Sequence, residues 1–254
     1  MTFNDNCLVR YRPIEKCLPN DAAIAQLVGA EAQQFARLRD PGRRRQWLAA
    51  RDVARELVRQ ALQLRSEPAI EIITRNERNL GVSPIVLVSG QRCEISLSIS
   101  HTARGVLVAA TADIATAVGA DLCEDLPIKT GFLQAWFSPS EQLWIAGNNR
   151  RAATIWAIKE AVFKAASQGA PWNPREIEVS HHAGGFRCQY QGQPVSPATL
   201  RVEVIDGQIA AIACLADPIE IQSPQHDAQL PIALRLSATP ALGVPHPSMP
   251  VLHV

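Results

Sequence analysis

The sequence has no strong excess of either charge and no long uninterrupted apolar run. Its 25 basic residues stand against 24 acidic ones, which leaves a formal net charge of +1. Such a balanced chain has no general attraction for nucleic acid or an acidic membrane surface, so anion recognition would need local basic clusters. No stretch approaches about eighteen uncharged apolar residues, and no membrane-spanning helix is therefore predicted.

The cysteines do not show the spacing of a metal-binding motif. They stand at positions 7, 17, 93, 123, 188 and 214, and no pair has the two-residue separation of a zinc finger. The first residues, MTFNDNCLVRYRP, contain no continuous apolar segment like that of a signal peptide. We therefore expect reduced thiols and a cytoplasmic protein.

Composition and length predict a folded protein with a substantial core. The 254 residues are 47% hydrophobic and 19% charged, as in globular domains. Helices followed by hairpin strands are predicted before residue 112 and again from 139 to 216. This faint repetition indicates two similar halves, residues 1–112 and 113–220. The proline-rich segment 221–254 is expected to form an irregular tail.

Local patterns predict most of the helices and strands. Asn20 or Asp21 is expected to cap a helix that runs to about Arg39, and an apolar stripe predicts a second helix over about 43–64. Ser138-Pro139-Ser140-Glu141 has a serine cap, a proline next to it and a glutamate three residues later, which predicts a helix start. Strands are predicted at 7–11, 70–74, 84–88, 93–99, 176–180, 186–190, 199–205 and 208–215, with a tight turn at 206–207.

The segment WAIKEAVFK, residues 156–164, lies in a helix predicted from about 150 to 167. Ile158 and Val162 fall on one side of it, whereas Glu160 and Lys164 share another side, four residues apart. Such a pair is common on exposed helix surfaces, where it contributes about 0.2–0.5 kcal/mol. The alternative is that both charges face a ligand, and the helix by itself does not decide between the two.

Other charged residues are also candidates for ligand binding. Asp121 follows an apolar run at the predicted end of a buried strand, where an unpaired carboxylate is costly, although many such residues are caps or turns. With Glu160 it could hold Mg²⁺, which prefers oxygen ligands. His101 could donate to a phosphate or be structural. The second helix carries a cluster of arginines at Arg43, Arg44, Arg45 and Arg51. Their guanidinium groups suit phosphate binding, and the alternative is that they form a solvent-exposed helix face.

Taken in order along the chain, these segments resemble the motifs of the 4′-phosphopantetheinyl transferases. That family carries an SH dipeptide, then a G-x-D strand end, then a W-x-x-K-E-x-x-x-K helix. The corresponding segments here are Ser100-His101, Gly119-Ala120-Asp121 and Trp156–Lys164, together with Phe137-Ser138 and the arginine-rich segment ending in Leu48-Ala49-Ala50-Arg51. The resemblance spans roughly residues 35 to 215, and the length is similar to that of the larger, surfactin-type members, which contain two similar halves.

The resemblance implies an α+β fold in which each half is a small antiparallel sheet packed on a long helix. Coenzyme A would bind between the halves. The activity would be transfer of the 4′-phosphopantetheine arm from coenzyme A to a serine of an apo acyl or peptidyl carrier protein, with release of adenosine 3′,5′-bisphosphate. A monomer is expected, with no nucleic acid or membrane partner.

The same resemblance implies the roles of the candidate residues. Asp121 and Glu160 would hold Mg²⁺, which neutralises charge on the pyrophosphate, and Lys164 would contact the phosphates. Glu160 is also the family's candidate general base toward the incoming serine, acting directly or through a water. Metal ligation would weaken it as a base. The other implied coenzyme A contacts are Ser100, His101, Lys159, Arg44 and Arg51, with Arg51 near the 3′-phosphate.

The sequence departs from the family pattern at two places. Many members carry a second acid two residues after the aspartate, but Cys123 stands there, and a thiol is a poor ligand for a hard cation. We therefore predict two protein carboxylates at the metal, with water in the third place. At Gly81-Val82-Ser83-Pro84 the family usually has a basic residue before the proline. Weaker coenzyme A binding is expected there, unless Arg75 or Arg78 compensates.

Two other interpretations remain open at this point. The chain could be a non-catalytic coenzyme A-binding or carrier-binding protein on the same scaffold, which the Cys123 and Ser83 departures favour. A thiol hydrolase built from Cys123 and His101 is the other interpretation, although nothing in the sequence indicates a stabilised thiolate. The sequence does not separate fatty-acid, polyketide and non-ribosomal peptide carriers.

Overall fold

A computed structural model describes residues 2–3, 7–17, 20–75, 81–125, 129–166, 172–195 and 199–216. The helices are α1 (Asn20–Ile24), α2 (Gly29–Arg37), α3 (Pro41–Ala61), α4 (Thr130–Trp136), α5 (Pro139–Ile145) and α6 (Asn149–Ala166). The strands are β1 (Thr2–Phe3), β2 (Cys7–Pro13), β3 (Ile70–Arg75), β4 (Gly81–Val88), β5 (Gln91–Cys93), β6 (Ser96–His101), β7 (Gly105–Thr111), β8 (Thr116–Cys123), β9 (Ile177–His182), β10 (Gly185–Tyr190), β11 (Gln193–Val195), β12 (Thr199–Ile205) and β13 (Gln208–Ala216). Short 3₁₀ turns span Ile14–Lys16 and Pro174–Glu176.

The strands form small antiparallel sheets, and each half of the chain contains a sheet packed on a long helix. In the first half the order is β1-β2-β7-β6, and α3 packs against β2, β6 and β7. In the second half the order is β12-β13-β8, and α6 packs against β8 and β13. Two further sheets, β3-β4-β5 and β11-β10-β9, complete the arrangement. The predicted α+β class with two sheet–helix halves is confirmed.

The start of α3 shows why the chain becomes helical there. The Asp40 side chain accepts a hydrogen bond from the Arg43 backbone N–H at 2.6 Å, and Pro41 occupies the first helical position, where its missing N–H costs nothing. The apolar stripe of the helix then packs on the sheet, mainly through Val53, Leu57 and Val58. The helix therefore begins two residues earlier than the sequence prediction.

One of the predicted helices is interrupted in the structure. The helix expected from about 20 to 39 is split into α1 and α2, because Gly29 adopts a φ of +50°. Next to it, the Ala30 N–H donates to Glu71 Oε1 at 2.5 Å. A backbone N–H at the start of α2, which has no partner within the helix, is therefore hydrogen-bonded by a side chain of β3. Similarly, the single strand expected at 93–99 is two strands, β5 and β6.

Two local turn and cap predictions are confirmed. Ser138 Oγ accepts from the Glu141 N–H, and Glu141 Oε2 accepts in return from the Ser138 N–H at 2.8 Å, which is a complete capping box at the start of α5. Asp206 and Gly207 have φ values of 49° and 74°, as a two-residue hairpin turn between β12 and β13 requires.

The two main sheets are joined by an apolar cluster that draws residues from both halves. It contains Cys7, Leu107, Ala109, Val118, Ala120, Leu122, Ala210, Ile212 and Cys214, all of them buried. The division into residues 1–112 and 113–220 stays a prediction. Gly169, Arg78 and the tail from 221 to 254 lie outside the described residues. Within the described part of the chain, no helix combines the length and apolar character needed to cross a bilayer.

The contact between β8 and α6 depends on a residue without a side chain. A Cβ added at Gly119 would lie 2.8 Å from the Ala165 backbone nitrogen and closer still to the carbonyl oxygen of Ala161. Both are backbone atoms of α6, so neither has the freedom of a side-chain tip. Gly119 therefore permits an approach of strand to helix that no other residue allows, and this approach positions the residues that follow it in β8.

We predict that Gly119→Ala destabilises the protein by about 3 kcal/mol, because the added methyl group must push β8 away from α6. The free energy of unfolding, measured with chemical denaturant, tests this. The matched control is Gly131→Ala in α4, where an added Cβ meets nothing within 4 Å and the helix gains propensity. Equal stability of the two variants would contradict the close packing of β8 on α6.

Candidate active site

Asp121 lies within β8 and faces α6. Its backbone pairs with Ala211 of β13, and β8 continues for two residues beyond it, so it is not at the strand end as predicted. The residue is only 6% exposed. Its Oδ1 accepts hydrogen bonds from Ser100 Oγ at 2.8 Å and from Lys164 Nζ at 2.9 Å. This carboxylate is therefore buried and held from both halves of the chain.

Glu160 and Lys164 come to the same place from α6. Lys164 Nζ lies 3.9 Å from Glu160 Oε2 and 2.9 Å from Asp121 Oδ1, and it also donates to the Ala120 carbonyl at 3.3 Å. Glu160 is buried, with 5% exposure. The pair is thus not a solvent-exposed helix pair. The structure brings together Asp121, Glu160 and Lys164, the three residues predicted to act at the phosphates.

Burial and neighbouring charges shift the pKa values of Glu160 and Lys164. Burial raises the pKa of Glu160 to about 7; the Lys164 charge opposes this shift and the Asp121 charge adds to it. Burial alone would lower the pKa of Lys164, but the charges of Asp121 and Glu160 outweigh it, so that this pKa is raised. One ammonium therefore serves two carboxylates, and Glu160 is incompletely compensated when ionised.

The donor set fits a hard divalent cation. Mg²⁺ prefers oxygen ligands and commonly uses one or two protein carboxylates, with phosphates and waters completing the shell. Asp121 and Glu160 supply that number, and a cation beside them would provide the missing positive charge. Among the described residues no group of three or more histidine, cysteine or acidic side chains is suited to a metal ion. Two carboxylates with water in the third place stay a prediction.

Cys123 lies next to this cluster. Burial, followed by the charges of Asp121 and Glu160, raises the pKa of its thiol well above the ordinary value. The thiol therefore stays protonated near neutral pH, and it lies 3.2 Å from the carbonyl oxygen of Glu124. A protonated thiol in an acidic environment is a poor nucleophile and a poor ligand for a hard cation, which argues against a thiol hydrolase.

Ser100 and His101 end β6 on opposite faces of the sheet. Ser100 is 6% exposed and faces β8, where its hydroxyl contacts Asp121. His101 pairs with Val106 of β7 and shares its face with Ile99, which packs toward α3. The predicted contact of both residues with coenzyme A stays a prediction.

Arg51 is buried within the first half. Its Nε lies 3.1 Å from Glu31 Oε1, one Nη donates to Thr74 Oγ1 at 2.7 Å, and the guanidinium lies over the Trp47 ring. Arg55 also pairs with Glu31, so two guanidiniums share one carboxylate. The cluster has an excess of positive charge, as an anion site requires. That Arg51 lies near a 3′-phosphate stays a prediction.

Arg44 has structural contacts at the end of α2. It donates to the carbonyl oxygen of Leu38 at 2.9 Å and to that of Phe35 at 3.4 Å, and it lies over the Phe35 ring. These contacts add hydrogen bonds to the carbonyl groups at the end of α2, where the Phe35 carbonyl already accepts the Leu38 N–H. The contact expected between Arg44 and coenzyme A stays a prediction.

Lys159 faces the opposite side of α6 from the cluster. Its ammonium pairs with Glu141 Oε2 at 2.8 Å and donates to the carbonyl oxygens of Trp136 and Pro174 at 3.2 and 3.0 Å. An ammonium has three donors, and these contacts use all of them. This side chain therefore ties α5 and the 174–176 turn to α6, and the phosphate contact expected of Lys159 stays a prediction.

Sequence reasoning missed the way in which β6 holds β8. Ser96, Ser98 and Ser100 accept hydrogen bonds from alternate backbone N–H groups of β8, those of Val118, Ala120 and Leu122, at 2.9, 2.9 and 3.0 Å. We call this set of contacts the serine seam. Its signal in the sequence was the period-two run SLSIS, in which every second residue can hydrogen-bond toward the same neighbour.

An α+β scaffold with two buried carboxylates and an ammonium at the junction of its sheets defines a candidate site for a cation and phosphate groups. Residues 117–214 match the family model of the 4′-phosphopantetheinyl transferase superfamily. The matched segment includes β8 from its second residue and all of α6, and hence Asp121, Glu160 and Lys164, whereas β6 and α3 lie outside it. No curated protein matches the chain. The match supports phosphopantetheinyl transfer as the general class of activity.

We predict that, without divalent cations, the free energy of unfolding falls as pH rises from about 4.5 to 7. Native Glu160 keeps a proton in this range that the unfolded chain releases, so the folded state loses stability with rising pH, by an amount of the order of 3 kcal/mol. Denaturant titrations across this range measure the slope.

Glu160→Gln should remove this part of the pH dependence. Glu67→Gln is the control, because the Glu67 side chain is 83% exposed and should leave the slope unchanged. If Glu160→Gln keeps the wild-type slope, then Glu160 is not the carboxyl group that titrates near neutral pH.

Proposed function

We propose that the chain is a Mg²⁺-dependent 4′-phosphopantetheinyl transferase of the two-half, surfactin type. It would transfer the phosphopantetheine arm from coenzyme A to a serine of an apo acyl or peptidyl carrier protein and release adenosine 3′,5′-bisphosphate. The supporting observation is the convergence of Asp121, Glu160 and Lys164 inside the segment that matches the superfamily. We further propose that it acts in the cytoplasm, as a monomer, without a nucleic acid or membrane partner.

The proposed site works mainly through charge. Asp121 and Glu160 would hold Mg²⁺, which when bound neutralises the negative charge of the pyrophosphate. Lys164 stays protonated because both carboxylates raise its pKa, so it offers a fixed positive charge to the phosphates. The low exposure of the two acids limits the access of water, which strengthens these interactions.

Glu160 has a second proposed role as general base. A carboxyl group with a pKa of about 7 is well matched to proton abstraction near neutral pH. A bound cation would lower that pKa, so ligation and base catalysis compete at this one residue. A water between Glu160 and the serine hydroxyl would let both roles operate, and direct transfer is the alternative.

The binding of coenzyme A is proposed to involve both halves. The excess positive charge at Arg51 and Arg55 suits a phosphate group, and His101 could contact the pyrophosphate. Ser83 stands in β4 where a basic residue was expected, and Arg75 of the neighbouring strand pairs with Gly81, two residues away. We propose that Arg75 compensates for the missing charge.

A second candidate function is a non-catalytic coenzyme A-binding or carrier-binding module. Cys123 favours it, because a protonated thiol replaces an acid that many family members place at the metal. The buried cluster of Asp121, Glu160 and Lys164 opposes it, since a scaffold that had lost catalysis would have no need to keep two carboxylates buried around one ammonium.

Transfer to an apo carrier distinguishes the two functions. Mass spectrometry of a carrier incubated with coenzyme A should show addition of the phosphopantetheine arm with Mg²⁺ and none with a chelator. Glu160→Ala should lower the rate at least about 100-fold, because it removes a ligand and a base. Glu67→Ala, on the exposed surface, is the control.

The contrary result is equally clear in this assay. Tight coenzyme A binding without transfer, over a panel of fatty-acid, polyketide and peptide carriers, would support the binding module. Loading that continues in the presence of chelator, or in Glu160→Ala at the wild-type rate, would contradict the proposed roles of the cation and of Glu160.

A further inference from the structure

The serine seam connects two strands that run side by side in the same direction. Its partners keep a constant offset of 22 residues, from Ser96 with Val118 to Ser100 with Leu122. β8 uses its other edge to pair with β13. The seam is therefore the contact between β6 of the first half and the strand that carries Asp121 in the second.

The seam solves a hydrogen-bonding problem. Alternate N–H groups of β8 point away from β13, and the residues that carry them, Val118, Ala120 and Leu122, are buried. A buried N–H without an acceptor is costly, and the serine hydroxyls supply the acceptors. Because the serines repeat every second residue, they also fix the register of β6 against β8.

Ser100 differs from the other two members of the seam. Its Oγ accepts from the Leu122 N–H, as they accept from their partners, but it also donates to Asp121 Oδ1 at 2.8 Å. A hydroxyl has a single proton, and Ser100 gives it to this carboxylate. With Lys164 Nζ on the same oxygen at 2.9 Å, Oδ1 accepts two hydrogen bonds. The orientation of the carboxylate is thereby fixed from two sides.

We propose that Ser100 is a positioning residue that orients Asp121 toward the cation from the other half of the chain. Since both hydrogen bonds fall on Oδ1, Oδ2 of the same carboxylate would be the oxygen left to hold a cation. Ser100 thus acts through Asp121, and its hydroxyl proton is not used for coenzyme A. This inference rests on the proposed function, because it assigns a partner to one of the two proposed metal ligands.

The test compares Ser100→Ala with Ser98→Ala. Each variant removes one seam hydrogen bond, but only Ser100→Ala removes the bond to Asp121. We expect Ser100→Ala to weaken Mn²⁺ or Mg²⁺ binding about 10-fold by isothermal titration without coenzyme A, as loss of an outer-shell partner does. In loading assays the Mg²⁺ concentration for half-maximal rate should rise by the same factor. Ser98→Ala should leave both quantities unchanged.

Two conservative variants keep the proposal testable if Ser100→Ala does not fold. Ser100→Thr retains the hydroxyl and should restore wild-type cation affinity, whereas Ser100→Cys retains the volume with a weak donor and should not. Both Ser98→Ala and Ser100→Ala should lower the denaturation midpoint, because each leaves one N–H of β8 without its acceptor, and Ser100→Ala should lower it further, because it also removes a hydrogen bond to a buried carboxylate.

Failure of this inference differs from failure of the proposed function. If the wild type loads a carrier but Ser100→Ala and Ser100→Cys bind the cation as tightly as the wild type, the positioning role is wrong and the transferase stands. Equal weakening in Ser98→Ala would show that the seam is only structural. A wild type that neither binds a divalent cation nor loads any carrier overturns the proposed function and this inference together.

Discussion

The candidate site depends on the direct packing of the β8 backbone against α6. Only glycine at position 119 permits it, since a Cβ there would press into backbone atoms of the helix around Ala161 and Ala165. Two residues further along β8, Asp121 then meets Lys164 at 2.9 Å. A shift of 1 Å between strand and helix would lose this charge-assisted hydrogen bond and leave buried carboxylates uncompensated. The close packing of β8 on α6 is therefore required for the charge arrangement of the site.

The two halves contain buried charge clusters of opposite imbalance. In the first half one carboxylate, that of Glu31, serves the guanidiniums of Arg51 and Arg55; in the second, one ammonium serves two carboxylates. Uncompensated buried charge costs folding free energy, and strongly perturbed charges of this kind cluster at functional sites. A basic excess in one half and an acidic excess in the other suit a ligand that supplies negative charge to the first cluster and a cation to the second.

Features that rest on neighbouring residues were predictable. Two examples are the capping box of Ser138 and Glu141 and the turn at Asp206-Gly207, each formed within four residues. Their hydrogen bonds and backbone angles depend on neighbouring residues alone. The break before α2 was not predictable, because Ala30 is satisfied by Glu71, 41 residues away. Likewise, the SLSIS run shows its period in the sequence, but nothing in it tells that β8, 22 residues on, supplies the donors.

The order of residues defines the chemical groups and their spacing: Glu160 and Lys164 lie four apart on a helix, and Asp121 lies in an apolar strand. Which neighbour each group contacts depends on how the helices and strands pack. Lys159 and Lys164 lie five residues apart in one helix, yet the first pairs with Glu141 of α5 and the second with Asp121 of β8. Helical spacing fixes the angle between two side chains, whereas the partner at that angle is set by the elements that pack on each side. Which elements pack on each side of α6 depends on residues far away in the sequence.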